Sequence, residues 1–143
     1  MPQKGFTLLE LLAVLLIISV STGLFLGMNF RQKESVQARS FASEMSQLMR
    51  TARSHAIMDG QLNLCEYQGK SGRVVEQLRG RSLAVPDKVK LYFADLESDE
   101  SMVFASFFSD GSLIIENFEL RAGDIRMLPE ADPFTGRVRF VQQ

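Results

Sequence analysis

Few residues of this chain have the chemistry for catalysis, and their spacing does not assemble a reaction centre. There is one histidine, His55, and one cysteine, Cys65, in 143 residues. A single His excludes any two-His metal site and weakens most acid–base schemes. A single Cys excludes an internal disulfide framework and a Cys-based zinc site. His55 reads as a capping or solvent-facing residue near a helix end, where a cation favours the dipole. Cys65 reads as a buried thiol in a strand. Asp95, Glu97, Asp99 and Glu100 could form a calcium loop, since hard cations need several carboxylates. The run lacks the mid-loop Gly and terminal bidentate Glu of an EF-hand, so a solvated acidic loop is expected. Arg79, Arg81, Lys88 and Lys90 read as scattered charges on loops and strand faces. No nucleophile–base pair, phosphate loop or metal set is visible. The expectation is a protein that is not an enzyme, with no catalytic residues, no cofactor and no metal. A net charge of −1 also argues against nucleic-acid binding by general electrostatics.

The carboxylate that stands out is Glu10. Residues 1–30 carry only Lys4 and Glu10 as charges, and residues 11–30 carry none. Twenty helical residues span about 30 Å, the hydrocarbon thickness of a bilayer. A carboxylate in such a helix costs several kcal/mol unless it is neutralised, paired or drawn to the headgroups at the membrane edge. Gly23 and Gly27 are small residues at i and i+4, suited to close helix approach. Lys4 precedes the run while Arg31 and Lys33 follow it, so the positive-inside count leaves orientation open. Ser19-Val20-Ser21 has the small-x-small form of a secretory cleavage site, but Glu10 interrupts the apolar core and the run continues to Phe30.

Beyond residue 30 the pattern stays helical. Phe41, Met45, Leu48, Ala52 and Ala56 form one apolar stripe at spacings of 4, 3, 4 and 4, with Glu44, Gln47, Arg50 and Arg53 largely off it. The run is too short for a sustained coiled-coil seam, so the stripe is expected to pack on a following sheet. No proline lies between residues 3 and 85, and Asp59-Gly60 supplies the stop, with Gly60 suited to a left-handed cap. One helix from about Phe6 to Met58 would be roughly 80 Å long. Residues 61–143 read as six to eight short strands. Leu62 and Leu64 alternate with Asn63 and Cys65, and Gly69–Gly72 turns into Arg73–Gln77. Val89–Ala94 and Met102–Phe108 follow, and Ser109-Asp110-Gly111-Ser112 makes a hairpin turn. Leu113–Phe118 continues into Glu119–Ala122. Ile125–Leu128 and Arg137–Val141 flank a turn over residues 132–136. The fold class expected is α+β, a long N-terminal helix packed on antiparallel sheets.

The string Lys4-Gly5-Phe6-Thr7-Leu8-Leu9-Glu10 resembles the processing motif of type IV pilins and type II secretion pseudopilins. The resemblance implies that a prepilin peptidase cuts between Gly5 and Phe6 and methylates the new amino group of Phe6. It also implies that Glu10 neutralises the N-terminal amine of a neighbouring subunit during assembly. The residues suit that scheme: Gly5 offers no side-chain obstruction to a protease cleft, and a carboxylate in lipid needs a cationic partner. The segments implied are a leader (1–5), a membrane and filament-core helix (6–30), its amphipathic continuation (31–60) and a periplasmic β head (61–143).

The head resembles one branch of that family. Leu48–Ile57 followed by Asp59-Gly60-Gln61 is similar to the helix-to-strand junction of H-type pseudopilins and their FimT/FimU-type pilus counterparts. Phe108-Ser109-Asp110-Gly111-Ser112 is similar to their Phe-x-x-Gly turn, and Thr135-Gly136-Arg137-Val138 to their terminal strand. The resemblance implies a minor pseudopilin near the tip of a periplasmic filament that drives export of folded proteins. Its partners would be other pseudopilins, the prepilin peptidase, the inner-membrane assembly platform and, before assembly, membrane lipid, with no nucleic acid. It would sit in the inner membrane as a single-pass protein, its N-terminus cytoplasmic and its head periplasmic. A minor pilin of a type IV pilus is the alternative within the family, and a signal-anchored periplasmic binding module the alternative outside it.

Overall fold

The computed structural model describes residues 8–94, 100–132 and 135–143, with side chains in all of these except 24–33. Helix α1 covers Leu8–Asp59 and is followed by nine strands among the described residues. The chain divides into two compact units, Met1–Lys33 and Glu34–Gln143.

In the second unit α1 contributes the expected stripe. Phe41, Met45, Leu48, Ala52 and Ala56 are all buried, joined by Ala38, Ala42 and Met49. Alternating large and small residues let the sheets approach the helix closely at the alanines while the larger side chains fill the space between layers. The helix stops where the sequence places it. Gly60 adopts φ +65°, a left-handed conformation that costs a residue with a Cβ, and the Gln61 N–H closes the end on the Ala56 carbonyl at 3.2 Å.

Two antiparallel sheets complete the unit, so the architecture is α+β. The first contains β1 (Asn63–Gln68), β2 (Arg73–Glu76), β3 (Ser82–Ala84), β5 (Ser101–Phe107) and β6 (Leu113–Ile115), in the order β3-β2-β1-β5-β6. The second contains β4 (Lys90–Phe93), β7 (Phe118–Ala122), β8 (Ile125–Ala131) and β9 (Val138–Gln142), in the order β4-β7-β8-β9. An aromatic cluster joins them. Phe104 of the first sheet meets Phe118 of the second edge-on at 5.2 Å, and Tyr67 stacks on Phe93 at 5.6 Å.

Two sequence readings change. The run from Leu113 to Ala122 is not one strand. β6 ends at Ile115 on the edge of the first sheet, and β7 starts at Phe118 inside the second. Leu113-Ile114-Ile115 is a continuous apolar run, Phe118–Ala122 alternates, and the polar Glu116-Asn117 between them falls at the break. In β1 the polar Asn63 and the thiol of Cys65 are the buried pair, while Leu62 is half exposed. The face of Cys65, read as buried, is the one that turns inward, and Asn63 on the same face finds buried partners. β3 was not read from the sequence at all; it is three residues long and contains a single large apolar side chain, Leu83. A bulge accounts for β5. Cys65 pairs with Ala105 but Glu66 pairs with Val103, and the extra residue lets the consecutive Phe104 and Ala105 both enter the core.

Candidate functional site

The residues expected to be processed, Gly5 and Phe6, lie outside the described residues, as do Lys4 and the rest of the leader. Glu10 is described. It stands close to the N-terminal limit of the described part of α1. Around it the helix is apolar on every side. Leu8, Leu9, Leu11, Leu12, Val14 and the run Leu15–Ile18 are all exposed, Leu8 by 84% and Ile17 by 63%. These positions cover the full turn of a helix, and one that is hydrophobic all round is built to be surrounded by lipid or protein. An exposed apolar area of this extent marks an interaction surface.

Two hydroxyls in this stretch turn their hydrogens inward. Ser19 Oγ donates to the Leu15 carbonyl at 2.8 Å and Thr22 Oγ1 to that of Ile18 at 2.7 Å. Hydroxyls satisfied in this way need no water, which suits a helix in an apolar medium. Among the described residues no helix is long and apolar enough to cross a membrane. The described side chains of the uncharged run end at Gly23, while the run itself continues in sequence to Phe30.

The helix–sheet junction of the head holds a second polar constellation. Glu76 is fully buried on β2. Its Oε1 lies 2.5 Å from His55 Nδ1 and accepts a hydrogen bond from Asn63 Nδ2 at 2.8 Å. Asn63 also donates to the Ala52 carbonyl at 2.9 Å and accepts from the Leu78 N–H at 3.1 Å. Helix, both strands and the following turn thus share one network. His55 is therefore a structural partner rather than a solvent-facing cap. Cys65 pairs opposite Glu76 across β1 and β2. Burial, with the Glu76 carboxylate adding to it, pushes the thiol up to about 12, so it is an unreactive core group, as expected. A third group of contacts centres on Arg53, which donates from Nε to the Gly111 carbonyl at 2.7 Å. A Cβ on Gly136 would stand 2.6 Å from the same Nε. Arg53 therefore fastens the Phe108–Gly111 turn to the helix and lies against Gly136, so the three head motifs meet at one guanidinium. Sequence reading missed Asn63, Glu76 and Arg53. Each is a polar residue whose partner is distant in sequence, and no local pattern records such a partner.

Of the acidic cluster, Asp95, Glu97 and Asp99 fall outside the described residues. Among the described residues no group of His, Cys, Asp and Glu is arranged to hold a metal ion.

Residues 1–26 match the family model for the prokaryotic N-terminal methylation motif. The match contains Gly5, Phe6 and Glu10 and supports a type IV pilin-like prepilin, a structural subunit whose N-terminus is a substrate of prepilin peptidase and which assembles with other pilin-like subunits. Comparison with curated proteins and with solved structures gives no match.

Proposed function

We propose that the chain is a minor pseudopilin of H type, a subunit of a type II secretion pseudopilus. The observation that carries this is the placement of Glu10. It stands within a matched methylation motif, five residues beyond Gly5, on a helix stretch that is apolar around it on all sides. In the proposed scheme the leader 1–5 is removed between Gly5 and Phe6 and Phe6 is methylated. Residues 6–30 anchor the precursor in the inner membrane with the head in the periplasm, and later lie in the filament core. There the Glu10 carboxylate faces the Phe6 amine of a neighbouring subunit, an attraction that is strong because the surroundings are apolar and little screened. The amphipathic stretch 31–60 connects that core to the head, 61–143. The work is mechanical, done by assembly without turnover.

Mass analysis of the mature protein tests the scheme: it should begin at a methylated Phe6. Gly5→Val should accumulate the full-length membrane precursor, and Glu10→Val should be cleaved yet fail to co-assemble. A chain starting at Thr22, or never cut, overturns the reading. Deleting the gene in its own host separates the two systems. Loss of folded exoprotein export supports the pseudopilus, and loss of surface pili with export intact replaces it with a pilus.

A further inference from the structure

The outward face of the four-stranded sheet carries a pattern that the filament helix does not explain. Strand alternation sends Phe118, Leu120, Ala122, Met127 and Val138 into the core, so the residues between them face outward. Register then sets Tyr92 beside Glu119, Lys90 beside Arg121, and Arg121 beside Arg126. On the other side Leu128 lies beside Val141 and Glu130 beside Arg139. Tyr92 on edge strand β4 and Val141 on edge strand β9 are each 44% exposed, the two ends of a row across the sheet that Glu119 and Leu128 complete and that is open among the described residues. Around it stand four cations, Lys90, Arg121, Arg126 and Arg139, against two carboxylates, Glu119 and Glu130, in a chain whose net charge is −1. The excess of positive charge is therefore local to this face.

At one side of the face is a cavity of about 470 Å³ lined by Tyr92, Asn117, Glu119, Arg121, Leu128 and Pro129 among others. Its wall is held in place. The Arg121 guanidinium stacks 4.5 Å over the Tyr92 ring and is anchored by its Nε donating to Glu119 at 2.6 Å. A cavity of this size accepts an apolar side chain with its flanking backbone. Tyr and Arg fixed around such a cavity are the residue types that concentrate binding energy at protein interfaces.

We propose that this face is a docking surface for a protein partner that presents an apolar side chain ringed by carboxylates. The apolar group seats beside Tyr92, and the carboxylates meet Lys90, Arg126 and Arg139. The two glutamates of the face disfavour a phosphate backbone and set the register of an acidic protein surface instead. The proposal goes beyond the pseudopilin reading and does not depend on it, because the head has the same face whether or not the leader is cut.

The test uses the full chain in uncharged detergent and a labelled pentapeptide, acetyl-Glu-Glu-Phe-Glu-Glu-amide, followed by fluorescence anisotropy. Saturable binding is expected, weaker by at least about tenfold for the lysine-flanked analogue. Arg126→Glu combined with Arg139→Glu should weaken it by a similar factor, as should Tyr92→Ser, with thermal melts unchanged. Tyr92→Phe should keep binding, and Arg50→Glu on the exposed side of α1 should leave it unaltered. Absence of saturable binding at millimolar peptide overturns the proposal, as does equal binding of the lysine peptide. Indifference to the Arg126/Arg139 change also overturns it, and so does a single-stranded oligonucleotide that displaces the peptide and binds more tightly.

Discussion

Glu76 shows what one buried carboxylate demands of its neighbours. Its Oε1 has two partners, His55 and Asn63, while its Oε2 makes no hydrogen bond among the described residues. Removing a partner leaves charge or dipole buried without compensation, which costs more than the net worth of the bond. His55→Ala and Asn63→Ala should each destabilise the head by about 2–4 kcal/mol in urea unfolding, whereas the exposed Ser54→Ala should stay within about 0.5 kcal/mol. A His55→Ala/Glu76→Leu double variant should cost less than the sum of its singles, because the leucine removes the stranded charge. Cys65 gives a second expectation at this scale. Its thiol is raised from 9.0 to about 12 in the folded head. The neutral form is therefore favoured by folding: this contribution to stability is complete below pH 9 and is lost as pH rises toward 12. Thiol labelling at pH 8 should be negligible in the native protein and rapid once denaturant unfolds it. The sequence suggested the buried thiol because Cys65 sits in an apolar strand. It did not suggest the buried carboxylate, because a glutamate between valine and glutamine looks the same whether it faces solvent or a histidine 21 positions away.

At the scale of elements, what was legible was whatever is written locally. The helix stripe from Phe41 to Ala56 has a period, and the Asp110-Gly111 turn has a composition. The structure keeps both, with Asp110 Oδ1 accepting from the Ser112 N–H at 2.8 Å and its Oγ at 2.6 Å. Those two donors hold the Asp110 carboxyl below its ordinary value, so the turn's contribution is complete above the usual carboxylate range and is lost as pH falls below it, through the lowered value. What was not legible is the assignment of strands to sheets. β6 and β7 are two residues apart yet belong to different layers, a choice made by the whole core. The cations show the same limit. Lys90 looked isolated along the chain, and only the register of β4 against β7 sets it beside Arg121. Arg53 supplies the prediction here. With φ +62° and an Arg53 atom 2.6 Å from any added Cβ, Gly136→Ala should cost about 1–2 kcal/mol from backbone strain and more from displaced contacts. Arg53→Ala should loosen the Phe108–Gly111 turn, seen as faster amide exchange at Gly111 with the helix stripe still protected. Equal loss of protection in the stripe would show that Arg53 is a core residue rather than a tie.

For the molecule as a whole, the two units divide the labour that the charge distribution hints at. Every buried residue among those described lies at Ala38 or beyond, so the head owns its core. A fragment of residues 34–143 should be soluble without detergent and melt cooperatively, within a few degrees of the head transition in the full chain. The full chain should require detergent or lipid. A fragment that is unfolded by circular dichroism would show that the first unit completes the fold.

The ties between helix and sheets are unevenly placed, and that matters under load. Asn63 to the Ala52 carbonyl, Arg53 to Gly111, His55 to Glu76 and a bidentate Asp59–Arg79 pair all gather in the last eight residues of α1. From Ala38 to Leu48 the contact is chiefly apolar packing, with one exposed hydrogen bond from Arg39 to Gln142 at 3.3 Å. Apolar contacts are non-directional and let surfaces slide, while hydrogen bonds are lost with small displacements. A pull on the helix toward its N-terminus therefore meets four directional ties loaded together at its far end. The head resists like a barbed anchor, whose grip is at the tip rather than along the shaft.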